Sequence, residues 1–271
     1  MKKNCLAGVI QLNSSEDRDE NLEKVSRYLQ EAAEAGCELV ALPEVFDCFC
    51  EDQKKYGLAQ LPDGGSTLRT LSELAAKFTM WVIGGSMILR SSQKDRIWNR
   101  SHVIDPNGQV VAVYNKIHLF DVNLSTKSAY QESIHTVPGK DPVLCETPFG
   151  KLGLSICYDL RFPELYRSYS SQGASILSVP SAFTQKTGRD HWEPLLRARA
   201  IENQCFVLAP NQYGIHTRGL ETWGHSMIVD PWGVILAQKG EGEGLAMAQL
   251  DLDSLAEIQR RIPCRNHRRL P

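Results

Sequence analysis

The chain has 271 residues, 42% of them hydrophobic, so it can bury a substantial core at a length near the upper size for one domain; a single domain over 1–271 is expected. Its 30 Lys and Arg against 32 Asp and Glu leave a net charge of −2, which offers no global field to nucleic acid or an anionic membrane. A small-molecule substrate is the expectation that remains.

Met1-Lys2-Lys3 ahead of an apolar run mimics a secretory start, but the run is short, Gln11 and Asn13 interrupt it, and no small-residue cleavage pattern follows. It reads as a first strand over 4–12. No stretch approaches the ~20 apolar residues that span a bilayer, so a soluble protein is expected. Leu22, Val25, Leu29, Ala32 and Ala33 recur at helical spacing between Asp17 and Ala35, with Gly36 as a stop, and a strand follows at 38–42. A second such passage places a helix at 67–78 and a strand at 80–88. This alternation predicts an α/β layered fold.

Two strand-like runs, 98–104 and 109–115, flank Asp105-Pro106-Asn107-Gly108 and predict a hairpin. The pattern returns around Asp230-Pro231-Trp232-Gly233. Either the chain contains a pseudo-repeat or two independent hairpins obey the same turn chemistry. Between Leu119 and Lys140 the pattern dissolves into polar residues, too long for a simple connector and of the kind that is often functional. Strand 152–157, helix 162–172, strand 174–179, helix 190–204 and strand 205–210 then restore the alternation. Strand 244–251, helix 252–261 and a basic tail close the chain.

Of the eight cysteines, Cys5, Cys37, Cys145 and Cys205 stand in or beside apolar runs, where a reduced thiol behaves as a small hydrophobe. A reducing cytoplasm is therefore expected. Cys48 and Cys50 form the one close pair, but no second Cys pair or spaced His pair completes a zinc site. No metal is expected.

Three functional groups stand where strand-like runs end: Glu44 after 38–43, Lys116 after 109–115, and Cys157 at the close of 153–157. Strand ends in α/β sheets are where ligand and catalytic groups gather. Cys157 is either a buried thiol or a reactive one, and the polar turn and helix start after it would lower its pKa. Glu44 is either a solvated carboxylate or, among Val40, Leu42, Val45 and Phe46, one whose pKa desolvation lifts toward that of a general base. Lys116 taken singly reads as a surface lysine. Arg199 and Glu202 read as a structural ion pair, and Trp192, Trp223 and Trp232 as packing residues.

Leu42-Pro43-Glu44, Tyr114-Asn115-Lys116-Ile117-His118 and Cys157-Tyr158-Asp159-Leu160-Arg161-Phe162-Pro163-Glu164 resemble the three signature segments of the nitrilase superfamily of carbon–nitrogen hydrolases, in the same order. The resemblance covers nearly the whole chain, through Pro180–Phe183, His191–Glu193, Arg197–Gln204 and Gly224–Gly233, and it is closer to the deaminated glutathione amidase branch than to the omega-amidase branch. It implies a four-layer αββα sandwich carrying a Glu–Lys–Cys site of Glu44, Lys116 and Cys157, with no cofactor. It also implies a second glutamate before the nucleophile strand, matched here by Glu132, and places Tyr158, Arg161, Phe183 and Thr184 against the substrate. Arg161 either clamps a substrate carboxylate or holds the nucleophile loop.

The implied activity is hydrolysis of deaminated glutathione to 2-oxoglutarate and Cys-Gly through a thioester. Its rivals are an omega-amidase releasing ammonia, a Cys157–His118 or Cys157–His191 dyad, and a non-catalytic binding module. A homodimer or higher homo-oligomer is expected, although relatives usually continue past His-Arg-Arg into a tail that often crosses to a partner, where this sequence ends His267-Arg268-Arg269-Leu270-Pro271.

Overall fold

A computed structural model describes residues 2–125 and 128–269. Thr126 and Lys127 of the polar connector, and Leu270 and Pro271 of the tail, lie outside the described residues. In chain order the first half contains β1 (Asn4–Gln11), α1 (Arg18–Glu34), β2 (Leu39–Ala41), α2 (Lys55–Leu58), α3 (Gly65–Phe78), β3 (Trp81–Ile83), β4 (Met87–Arg90), β5 (Ile97–Ile104), β6 (Val110–Asn115), β7 (Asp121–Ser125) and β8 (Ser128–Gln131). The second half contains β9 (Leu144–Thr147), β10 (Gly150–Leu154), α4 (Pro163–Ser171), β11 (Ala174–Ser178), α5 (Gln185–Asn203), β12 (Phe206–Ala209), β13 (Tyr213–Ile215), β14 (Glu221–Trp223), β15 (Met227–Val229), β16 (Ile235–Gln238), β17 (Gly244–Asp251), α6 (Leu252–Arg261) and α7 (Cys264–His267).

Two sheets carry the molecule. In the first, β17, β1, β2, β3 and β5 lie side by side, and β6 pairs the far edge of β5. In the second the order is β9, β10, β11, β12, β15, β16. Each sheet has three parallel strands (β1, β2, β3; β10, β11, β12), one antiparallel neighbour at one end, and an antiparallel hairpin at the other. The two hairpins slip register at matching places, Val103/Ile104 and Ile228/Val229. Both turns are closed the same way: Asp105 Oδ1 accepts the N–H groups of Asn107 and Gln109, and Asp230 Oδ1 those of Trp232 and Val234. The likeness between the halves is thus one of sheet topology as well as turn chemistry.

Strand alternation decides which side chains meet. Cys5, Ala7 and Val9 of β1, with Leu39 and Ala41 of β2, point into the layer between the sheets, against Leu152, Leu154 and Ile176. Ile10, Val40 and Val82 point the other way, against Val25 and Leu29 of α1 and Leu71 and Ala75 of α3. On the outer face of the second sheet Tyr166 and Tyr169 of α4, with Trp192, Leu196 and Ala200 of α5, are buried. The layers run α, β, β, α, as the resemblance implied. Asp17 starts α1 by accepting the N–H groups of Asp19 and Glu20, and Asp251 starts α6 in the same manner from Asp253 and Ser254.

Several boundaries differ from expectation. The strand expected at 80–88 breaks into β3 and β4, which pair successive stretches of β5. The break has a purpose at Gly85 (φ +44), where an added Cβ would lie 2.0 Å from the carbonyl oxygen of Pro43. Ser86 then accepts the N–H of Val45 on Oγ at 3.0 Å and that of Phe46 on its carbonyl at 3.2 Å, pinning the turn that carries Glu44. Gly85→Ala is expected to displace that turn, adding about 1–3 kcal/mol of backbone strain and lowering both Tm and kcat; wild-type values for both would show the turn to be held elsewhere.

The strand expected at 152–157 stops at Leu154, so Ser155–Cys157 belong to the turn. Gly153 lets Tyr169 lie flat on that strand, since a Cβ there would come 2.7 Å from its ring, and Tyr169 donates to Leu154 O at 2.6 Å. The polar connector contains a hairpin, β7 with β8, running into a short 3-10 turn at Glu132–Ile134. Helix α5 begins five residues earlier than 190, and the hairpin of β13 and β14 had no counterpart in the sequence pattern. Trp192 and Trp223 do pack, whereas Trp232 at the β15–β16 turn is 57% exposed.

Candidate active site

Glu44, Lys116, Glu132 and Cys157 come together at the ends of β2, β6, β8 and β10, all nine-tenths or more buried. Lys116 Nζ donates to Glu44 Oε1 and to Glu132 Oε2, each at 2.9 Å. The backbone amide of Ala182, just beyond β11, donates to Glu44 Oε2 at 2.9 Å, and that of Phe120 to Glu132 Oε2 at 2.7 Å. One ammonium therefore ties two carboxylates that would otherwise repel.

Two residues that motif reading passed over complete this arrangement. Asn99 of β5 donates Nδ2 to Glu44 Oε1 at 2.8 Å and reaches Glu132 Oε1 at 3.4 Å, while its carbonyl accepts the N–H of Lys116 at 2.9 Å. Asp159, fully buried, accepts the N–H of Ile156 at 2.8 Å and the hydroxyl of Tyr114 at 2.7 Å on one oxygen. On the other it accepts the N–H of His118 at 2.9 Å and meets His118 Nδ1 at 2.7 Å. Tyr114 and His118 flank Lys116, so a single carboxylate locks the Cys157 turn to the lysine strand.

Cys157 sits at φ +48, a left-handed conformation rare for a residue with a Cβ and typical of functional turns. Its N–H is spent on Pro180 O at 2.8 Å. The next amide, Tyr158 N–H, has no acceptor among the described residues. The turn at Cys157–Arg161 is 3-10, and α4 begins only at Pro163. No helix N-terminus therefore acts on the thiol, and the expected lowering of its pKa is not found. Burial, followed by the charge of Glu44, pushes the Cys157 thiol well above its usual value, against the opposing effect of Lys116 and the Ala182 amide. The Cys157 thiol therefore rests protonated beside a carboxylate.

Burial disfavours charge on Lys116, but Glu132 and Glu44 outweigh it and hold the ammonium well above the ordinary lysine range. Burial would also raise Glu132; Lys116 and Lys55 more than offset this and leave it below the usual carboxylate range. The cluster opens on a cavity of about 620 Å³. Tyr158, Arg161, Phe183 and Thr184 all line it. Arg161 lies over the rings of Phe183 (5.2 Å) and Tyr158 (5.9 Å), with Nη1 3.3 Å from His191 Nδ1, and has no carboxylate partner among the described residues. Arg199, by contrast, donates to Leu160 O and to Glu202 Oε1 at 2.8 Å, the structural role expected of it.

The pattern of the carbon–nitrogen hydrolase family matches residues 6–260. A Synechocystis protein named deaminated glutathione amidase is 44% identical over 269 residues, covering 98% of each chain. The human protein of that name is 41% identical over 97% of this chain and 82% of its own. The crystal structure of Saccharomyces cerevisiae Nit3, a member of branch 10 of the nitrilase superfamily, superposes with a TM-score of 0.90 at 30% identity, covering 100% of this chain and 98% of that one. The chain belongs to the carbon–nitrogen hydrolase family. More particularly, it is an amidase acting on carbon–nitrogen bonds other than peptide bonds.

Proposed function

We propose that this amidase hydrolyses deaminated glutathione to 2-oxoglutarate and Cys-Gly, using Cys157 as nucleophile, Glu44 as general base and acid, and Lys116 as an oxyanion donor. The observation that carries it is the ammonium of Lys116 held at 2.9 Å from each of two buried carboxylates, on the cavity that Cys157 also lines. Glu44 takes the thiol proton as sulfur attacks the amide carbonyl. Lys116 and the Tyr158 N–H stabilise the oxyanion. Glu44 then protonates the departing amine and activates the water that cleaves the thioester, while Glu132 positions Lys116. The high pKa of the resting thiol fits a proton handed over only as the bond forms.

Substrate choice rests on the relatives' name and on Arg161. A 2-oxo acid amide carries a carboxylate near its acyl end, and a permanently charged, planar guanidinium without an acidic partner is suited to hold it. Arg161→Lys is expected to lower kcat/KM for deaminated glutathione and 2-oxoglutaramate far more than for a neutral short amide. Equal losses would return Arg161 to a purely structural role. In the wild type, deaminated glutathione should be the best of the three; a clear preference for 2-oxoglutaramate would make the protein an omega-amidase, and turnover of none would favour a binding module.

A Cys–His dyad is disfavoured, because His118 Nδ1 faces Asp159 and stacks on Phe162, and His191 faces Arg161. Among described helices none is long and apolar enough to cross a membrane, and all eight cysteines are free, which suits the reducing cytoplasm we assign. Exposed Ile201, Trp232, Val234 and Leu236 would serve the homodimer or higher homo-oligomer expected of this family.

A further inference from the structure

Among the described residues two cations besides Lys116 line the cavity: Arg161, and Lys55, the first residue of α2. Its side chain is 18% exposed, and its ammonium pairs with Asp52 at 2.6 Å. An ammonium has three donors, and that pair uses one. Burial opposes the charge on Lys55, yet Asp52 and Glu132 more than compensate and keep it protonated.

The position of Lys55 relative to the reacting groups gives it a side. Glu44 must deliver its proton to the departing nitrogen, so the leaving group lies toward the Glu44–Lys116–Glu132 cluster. Lys55 closes the run of cavity-lining residues that starts at Glu44 and continues through Val45, Cys48, Cys50 and Asp52, so it belongs to the wall that leads away from Glu44. Arg161 instead belongs to the nucleophile's own turn, against Tyr158 and Phe183. The two cations therefore serve opposite ends of a bound amide. A Cys-Gly leaving group spans roughly 7 Å from nitrogen to carboxylate at ~3.5 Å per extended residue, and the cavity that Lys55 lines has a volume of about 620 Å³.

We infer that Lys55 is a specificity-determining residue that binds the terminal carboxylate of a peptide leaving group, so the site selects amides of a 2-oxo acid with an anionic peptide over primary amides. This rests on the deaminated glutathione reading above and extends it to the leaving-group side. The chemistry needed is a carboxylate about two residues beyond the scissile nitrogen. Ammonia offers nothing for Lys55 to hold.

The test compares kcat/KM for deaminated glutathione and for the same compound with its terminal carboxylate converted to a carboxamide, in wild type, Lys55→Met and Lys55→Arg. A hydrogen-bonded charge pair corresponds to roughly 10- to 100-fold, so the wild type should prefer the acid by about that factor. Lys55→Met should bring the ratio close to one, through loss on the acid, and Lys55→Arg should retain most of it. Any general damage to the cluster through Glu132 affects both compounds and cancels in the ratio. An acid-to-amide ratio near one in the wild type, or one that survives in Lys55→Met, overturns the assignment of Lys55 alone. Failure of the wild type to hydrolyse either compound overturns the substrate reading itself, and the inference with it.

Discussion

Cys157→Ala is expected to abolish amide hydrolysis while leaving the fold intact. The substitution keeps the Cβ that the left-handed turn already accommodates at φ +48 and removes only a sulfur that is 8% exposed with its residue. The Pro180 and Asp159 hydrogen bonds that hold the turn are made by backbone and by a neighbour, so they persist. Intact-protein mass spectrometry with a slow substrate should show an acyl adduct on the wild type and none on the variant. Turnover near the wild-type rate would end the covalent mechanism.

Lys116→Met should have two separate effects. Loss of an oxyanion donor is expected to lower kcat by at least ~100-fold. Removing one partner of a buried ionic cluster is also expected to destabilise the fold by about 3–5 kcal/mol, because Glu44 and Glu132 would then face each other without a cation. The pair left behind would take up a proton more readily in the folded protein than in the unfolded chain. The folded variant then binds more protons, so its stability deficit should shrink as pH falls. Denaturation at several pH values reads this directly. A deficit that stays constant with pH, together with a modest rate loss, would show that Lys116 is not the cation of the site.

What the sequence discloses and what it conceals divide along physical lines. The runs ending at Glu44, Lys116 and Cys157 are apolar strands meeting polar turns, a contrast that survives in one dimension. So do β17 and α6, whose observed bounds are those expected. The β7–β8 hairpin is hard to read because Asp121 and Asn123 are exposed and polar and Val122 between them is only half-buried, which makes a weak period. Asn99 is hidden for the opposite reason: it occupies an inward position of β5 between Ile97 and Ser101, and only the carboxylates facing it give that amide its meaning. Glu132 was reached through family resemblance alone. The choice between a buried and a reactive thiol at Cys157 stays open in the sequence because its pKa follows burial and the nearness of Glu44, neither of which is written in adjacent residues.

The pairing of β17 with β1 sets an order on how this molecule comes into being. Asn4 lies opposite Asp251, so β1 waits for a strand made far later in the chain before its outer edge is satisfied. Until then β1 presents a row of open amides and carbonyls, the kind of edge that recruits strands from other chains. Contacts of such sequence separation are costly in loop closure and slow to form. Glu44, Lys116 and Glu132 follow strands and turns of the first half, and Cys157 follows β10 of the second. A nascent chain therefore holds Glu44, Lys116 and Glu132 well before it holds Cys157, and the four-residue cluster is complete only as the second sheet arrives.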